Sequence, residues 1–155
     1  MLYNIEMASH GDTIAENRRA GFDYDVSKKY EAGIELFGHE VKSAKGGRFQ
    51  IAGARVLIRG GEAYLVNSHI PPYQPKNVSS DYEEDRTRRL LLMSAEIKEL
   101  TGALQDKGQM LIPLRAYIKN RFIKIELGLG RTRKKPDKRE VIKKRAHNRE
   151  MRDEG

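Results

Sequence analysis

Eleven Lys or Arg and five Asp or Glu side chains crowd into the last 25 residues, Arg131 to Gly155. Cationic groups at that density do one kind of chemistry well: they pair with the phosphates of a polyanion and release its counterions. This stretch supplies +6 of the formal +8, so the other 130 residues are nearly neutral. Smaller polar and aromatic sets recur within that body. Asn17, Arg18 and Arg19 lead into Phe22 and Tyr24, Lys42, Lys45 and Arg48 lie close together, and Lys124 interrupts an apolar run. Arg and Lys interleaved with aromatic rings suit single-stranded or looped RNA, where phosphates pair and bases stack.

The groups an enzyme would need are scattered. His10, His39, His69 and His147 have no ligand spacing, so nothing points to a zinc site. Glu83-Glu84-Asp85 suits the solvated entrance of a helix better than a magnesium site. Neither a Gly-rich phosphate loop ending in Lys-Ser/Thr nor a Gly-x-Ser-x-Gly elbow occurs. The reading is a binding protein with no enzymatic activity, cofactor, metal or small-molecule substrate. There is no Cys, so a reducing cytoplasm is the expected compartment. The first residues lack the pattern of a secretory signal, and no apolar run is long enough for a membrane span. No membrane partner is expected.

The elements that must position these groups read mainly as strands. Residues 1–19 show no sustained period and are expected to be a flexible leader. From Tyr30 to Phe37 the chain alternates, with Ala32, Ile34 and Leu36 inward and Glu31 and Glu35 outward. "GHEVKSAKGG" reads as one short helix stopped by Gly46 and Gly47. "ARVLIR" and "EAYLVN" form a hairpin across Gly60-Gly61, and "HIPPYQPKNVSSDY" a surface loop. The spacing predicts helical character over 85–107, with Ser94 capping a segment in which Ile97, Leu100 and Leu104 share a face. "MLIPLRAYIK" and "FIKIELGL" close the body as strands, Ile123, Ile125 and Leu127 inward and Phe122, Lys124 and Glu126 outward.

Strands this short, outnumbering helices, predict a small antiparallel barrel with flanking helices over residues 20–130. Residues 131–155 then form a basic tail. Asp137 with Glu140 resembles a capping box before "KREVIKKRAHNREMR", which has no Gly or Pro. Its apolar positions are too few to dock on the body. The tail is therefore expected to be disordered when free and helical when phosphates neutralise it.

Read in order, "NRRAGFDY" (17–24), "YEAGIELFGHEVKSAKGGR" (30–48), "GEAYLVNSHIPPY" (61–73), "RTRRLLL" (86–92), "EIKELTG" (96–102), "LIPLRAYIKN" (111–120), "KIELGLGR" (124–131) and "DKREVIKKR" (137–145) resemble the family of SsrA-binding proteins, also called small protein B. The resemblance covers almost everything after the leader. It implies an oligonucleotide-binding-type barrel with about three flanking helices. It also implies a role: binding the tRNA-like part of transfer-messenger RNA (tmRNA) and bringing it to ribosomes stalled without a stop codon. The tail would enter the decoding centre and the vacant mRNA channel. Alanyl-tRNA synthetase and elongation factor Tu would act on the same RNA.

By position, Asn17, Glu31 and Lys124 match family residues of the RNA-facing surface, and Asp137, Lys138 and Arg139 match the tail motif. With the cationic and aromatic sets above, the expected RNA-binding residues are Asn17, Arg18, Arg19, Tyr24, Glu31, Lys42, Arg48 and Lys124. The expected ribosome-facing residues are Arg131, Arg133, Lys134, Asp137, Lys138, Arg139, Lys143, Lys144 and Arg145. An ordinary cross-strand ion pair is the competing account of Glu31. Met93, Thr132 and Pro136 depart from the family pattern, which bears on a polar contact after the Leu triplet and on the entry to the tail. The alternative function is a general single-stranded RNA or ribosome-binding barrel.

Overall fold

Gly60 and Gly61 both adopt positive φ, 58° and 76°, and join Arg59 to Glu62 in a two-residue turn. Only residues free of the Cβ clash take both positions easily, which is why a Gly pair serves here. A computed structural model of the chain describes residues 12–133. In chain order it contains β1 (Thr13–Glu16), α1 (Ala20–Asp23), β2 (Tyr24–Ile34) and α2 (Gly38–Ser43). These are followed by β3 (Arg55–Arg59), β4 (Glu62–Val66), β5 (Arg88–Leu91), α3 (Ser94–Ala103), β6 (Gln109–Lys119) and β7 (Phe122–Thr132).

All seven strands pair antiparallel in one sheet, in the order β1-β6-β7-β2-β5-β4-β3. The sheet curls until β3 lies against β6, making the expected mainly β, OB-like barrel with three flanking helices. Long β2, β6 and β7 form its wall, and their inward residues alternate as the period of two requires. Ala32, Leu65, Ile70, Leu90, Ile125 and Leu127 are shut off from solvent inside it. Leu100 carries α3 onto the same core, and Glu99 beside it accepts hydrogen bonds from Lys28 and the Tyr30 hydroxyl of β2.

Three expectations need correction. Residues 13–16, assigned to the leader, are an edge strand that pairs Glu16 with Arg115. A four-residue strand is too short to show a period. Residues 85–93 are not helical: Arg88–Leu91 is β5, helix α3 begins only at Ser94, and the acidic run 83–85 lies in the loop before the strand. The helix entrance is also different in detail, because Met93 precedes it and the Glu96 carboxylate accepts from the Met93 amide at 3.2 Å. Finally, "GHEVKSAKGG" is not one regular helix. After Ser43 it loosens into a wider turn through Arg48, with Gly47 at φ 84°.

The reason for the second error is a buried ionic knot. Arg88 and Glu40 are both fully buried, and Arg88 Nη2 donates to Glu40 Oε2 at 2.7 Å. Arg86, the Tyr82 hydroxyl and the Phe37 amide also donate to that carboxylate. Arg88 spends its other donors on the Ser68 hydroxyl at 3.0 Å and the Glu84 carbonyl at 2.8 Å. Each charge is thus satisfied where water is excluded. The knot ties the long 67–87 loop to α2 and the barrel.

Candidate nucleic-acid interface

The outer face of β2, β7 and β6 gathers most of the polar side chains that the wall carries. Register places Glu31 opposite Glu126, Glu126 opposite Arg115, and Lys124 between Gly33 and Tyr117. Two carboxylates facing each other would repel. The surrounding cations resolve that conflict. Lys119 Nζ lies 3.3 Å from both Glu31 oxygens, and the Tyr117 hydroxyl donates to Glu31 Oε2. Glu126 is approached by Lys29 at 3.8 Å and by Arg115 Nε at 3.6 Å. Arg115 also stacks over the Tyr117 ring at 4.3 Å and donates to Thr13 Oγ1 at 3.1 Å.

Electrostatics on this face follow from the geometry. Burial pulls the Glu31 carboxyl upward, but the Tyr117 hydroxyl, Lys119 and Lys124 outweigh it and hold the group below its ordinary range. Burial and the Glu31 carboxylate push the Tyr117 phenol above its ordinary range. Glu31 is therefore an anion at neutral pH whose lone pairs are already partly spent inside the sheet. The cross-strand ion pair weighed for Glu31 exists. It does not remove the residue from the surface, because Glu31 remains exposed and borders Lys124.

The remaining expected residues are dispersed over other parts of the barrel. Asn17 has its side chain turned inward: its amide nitrogen donates to the Pro113 carbonyl at 3.0 Å, fixing the turn between β1 and α1. Arg18 and Arg19 are exposed and meet Glu16 at 3.6 Å and Asp23 at 3.8 Å. Asn17, Arg19 and Tyr24 line a cleft of about 610 Å³ with Arg55 and Asn67. Lys42 lies 6.0 Å from the centre of the Tyr73 ring, while Arg48 ends the loosened turn after α2, exposed. The set is thus divided between the Glu31–Lys124 face, the α1 cleft and the α2 turn.

The start of the tail is bolted to the barrel. Strand β7 runs on through Thr132, whose hydroxyl meets Met110 Sδ at 3.8 Å. Arg131 Nη1 donates to the Lys107 carbonyl at 2.9 Å. The Arg133 amide donates to the Asp23 carbonyl at 2.8 Å, and its Nε reaches Asp25 Oδ1 at 2.7 Å. Arg131 and Arg133 are thereby part of the body's rim. Lys134, Asp137, Lys138, Arg139, Lys143, Lys144 and Arg145 lie outside the described residues.

Sequence reasoning missed Lys29, Arg115, Tyr117 and Lys119 as members of the β-face network. Register was the missing information: the alternation of "PLRAYIK" is broken by a bulge between Pro113 and Arg115, so the period alone mis-assigns which side chains face out. Among the described residues no group of three or more His, Asp or Glu could hold a metal ion. The acidic run 83–85 instead sends Glu84 to His69 at 2.8 Å. Nor is any helix among the described residues long and apolar enough to cross a membrane.

Fold and face together define the class: a mainly β, OB-like barrel that displays a network of cations, carboxylates and a phenol on its outer wall. Within that class, the chain belongs to the SmpB protein family, which matches residues 14–154. It is 44% identical over 138 residues to the SsrA-binding protein of Gloeothece citriformis, covering 89% of each chain. With the SsrA-binding protein of Coprothermobacter proteolyticus it shares 46% identity over 143 residues, 92% of this chain and 95% of the other. A chain in the structure described as "tmRNA-SmpB: a journey to the center of the bacterial ribosome" superposes with a TM-score of 0.64 at 41% identity. That match covers 79% of this chain and 86% of the other.

Proposed function

We propose that this protein binds the tRNA-like part of tmRNA and delivers it to stalled ribosomes for trans-translation. The observation that carries this is the likeness to SsrA-binding proteins over about nine-tenths of the chain. The outer face of β2, β6 and β7 is the surface suited to folded RNA. Lys29, Arg115, Lys119 and Lys124 outnumber Glu31 and Glu126 there, leaving an excess of positive charge for phosphates. Glu31 suits the exocyclic amines and ribose hydroxyls of the RNA, to which a carboxylate can offer acceptors.

The function is performed by binding and positioning, without catalysis. Residues 134–155, rich in Lys and Arg, supply the contact with the decoding centre and vacant mRNA channel, Asp137, Lys138 and Arg139 foremost. Arg131 and Arg133 support that contact by fixing where the tail leaves the barrel. Alanyl-tRNA synthetase and elongation factor Tu join the complex through the shared RNA, and the setting is the cytoplasm. Sequencing the RNA that copurifies with the intact protein from cells tests this reading. Dominance by tmRNA is expected. A broad sampling of unrelated RNA would favour a general single-stranded RNA or ribosome-binding barrel and overturn it.

A further inference from the structure

Strand β7 stays paired with β2 to its very end, Arg131 opposite Asp25 and Thr132 opposite Tyr24. β-branched Thr132 favours the extended backbone that this pairing needs. The Arg133 amide then donates to the Asp23 carbonyl at 2.8 Å, which carries the pairing one residue past the strand. Asp is a poor strand former, yet Asp25 stands in β2 with its side chain 70% exposed. Its backbone is fixed, because β7 passes so close that Gly130 has no room for a Cβ beside the Asp25 carbonyl. On that fixed backbone the carboxylate accepts from Arg133 Nε at 2.7 Å.

The other flank of the strand end is held differently. Arg131 Nη1 donates to the Lys107 carbonyl at 2.9 Å, while the Asp106 carboxylate stands off at 4.0 Å from Nη2. Asp25 is thus the one carboxylate that closely grips the root of a strongly basic tail. An acid there lowers the attraction of a polyanion, so attraction is not what it supplies. We infer that Asp25 is a positioning residue for the tail: through Arg133 it sets the direction in which residues 134–155 leave the barrel. The inference rests on the tail reading above and names the residue of the body that serves it. A tail that starts in one direction has a higher effective concentration at a single channel entrance than one on a free pivot. An exposed ion pair shifts such an equilibrium by no more than about fivefold. The bond from the Arg133 amide to Asp23 survives without the carboxylate, so the loss is partial.

Asp25→Asn keeps the shape of the side chain and removes its charge. Asp106→Asn removes the same charge from the other flank and serves as the control. By attraction alone, both variants should engage ribosomal phosphates better than wild type. If Asp25 directs the tail, only Asp25→Asn loses activity. The test measures peptide tagging on stalled ribosomes with tmRNA, and in parallel tmRNA affinity and thermal unfolding. It uses full-length wild type, both variants, Arg133→Ala and the double variant Asp25→Asn with Arg133→Ala. Asp25→Asn is expected to tag about three- to fivefold more slowly, with affinity and unfolding unchanged. Asp106→Asn should tag at least as fast as wild type, and the double variant no more slowly than Arg133→Ala alone. Tagging by Asp25→Asn at or above the wild-type rate overturns the inference, as does an equal loss in Asp106→Asn. Losses that multiply in the double variant overturn it too, since Asp25 would then act independently of Arg133. A matching fall in tmRNA affinity or unfolding temperature would make Asp25 a stability residue of the barrel and also overturn it. Wild-type protein that fails to tag overturns the tail reading together with the inference.

Discussion

Arg88 Nη2 and Glu40 Oε2 meet 2.7 Å apart, both side chains fully buried, across 48 residues of sequence. This pair joins α2 to β5 and holds the loop between β4 and β5 over the barrel. Removing one partner leaves the other charged and dry. Glu40→Gln is therefore expected to cost about 3–5 kcal/mol of stability at neutral pH, read from urea unfolding.

The same pair gives a pH signature. Burial pulls the Glu40 carboxyl upward, but Arg86, the Phe37 amide and Arg88 overcome it and lower its pKa to about 2. Folding thus depresses this pKa, so the contribution is complete above the ordinary value of 4.5 and is lost as pH falls through about 2. The stability gap between wild type and Glu40→Gln should narrow steadily from pH 5 towards pH 2. A gap independent of pH across that range would show that the carboxylate's charge is not what stabilises the pair.

Why this knot escaped the sequence reading is physically plain. Arg86, Arg88 and Arg89 directly after Glu83-Glu84-Asp85 look like a solvated, charge-ordered helix start. Local charge order carries no trace of a partner on another element, so a fully buried arginine reads as a surface one. The Gly60-Gly61 hairpin and the inward set Ile123, Ile125 and Leu127 were legible because turn chemistry and period two are local properties. Glu31 and Lys124 on one outward face were legible for the same reason. Their neighbours Tyr117 and Lys119 were not, since only strand register brings them alongside.

Lys124 contributes a point charge to the β face. Lys124→Ala should weaken tmRNA binding and lower the magnitude of the slope of log affinity against log salt by about 1. Lys98→Ala, on the exposed surface of α3, should leave both unchanged. Fluorescence titrations at several salt concentrations supply the slopes. Equal slopes for wild type and Lys124→Ala would remove Lys124 from the phosphate-contacting set.

Gly130 permits the close approach of β7 to β2. A Cβ at that position would stand 2.1 Å from the Asp25 carbonyl oxygen, which is backbone and cannot swing aside. Gly130→Ala should destabilise the barrel by about 1–3 kcal/mol, as overpacking does. It should also loosen Arg133 from Asp25, since both flank the clash. Thermal unfolding checks the first effect, and the Asp25 and Arg133 NMR shifts the second. Unaltered stability would mean that the strands part there at no cost.

The account stands on separate duties for barrel and tail. Its most direct test is a chain ending at Arg133, which keeps the Arg131 and Arg133 contacts with the body and lacks everything after them. Affinity for tmRNA and peptide tagging on stalled ribosomes are measured side by side in a reconstituted system. The account predicts nearly unchanged RNA affinity with tagging abolished. Tagging that persists, or affinity that collapses together with tagging, would contradict it.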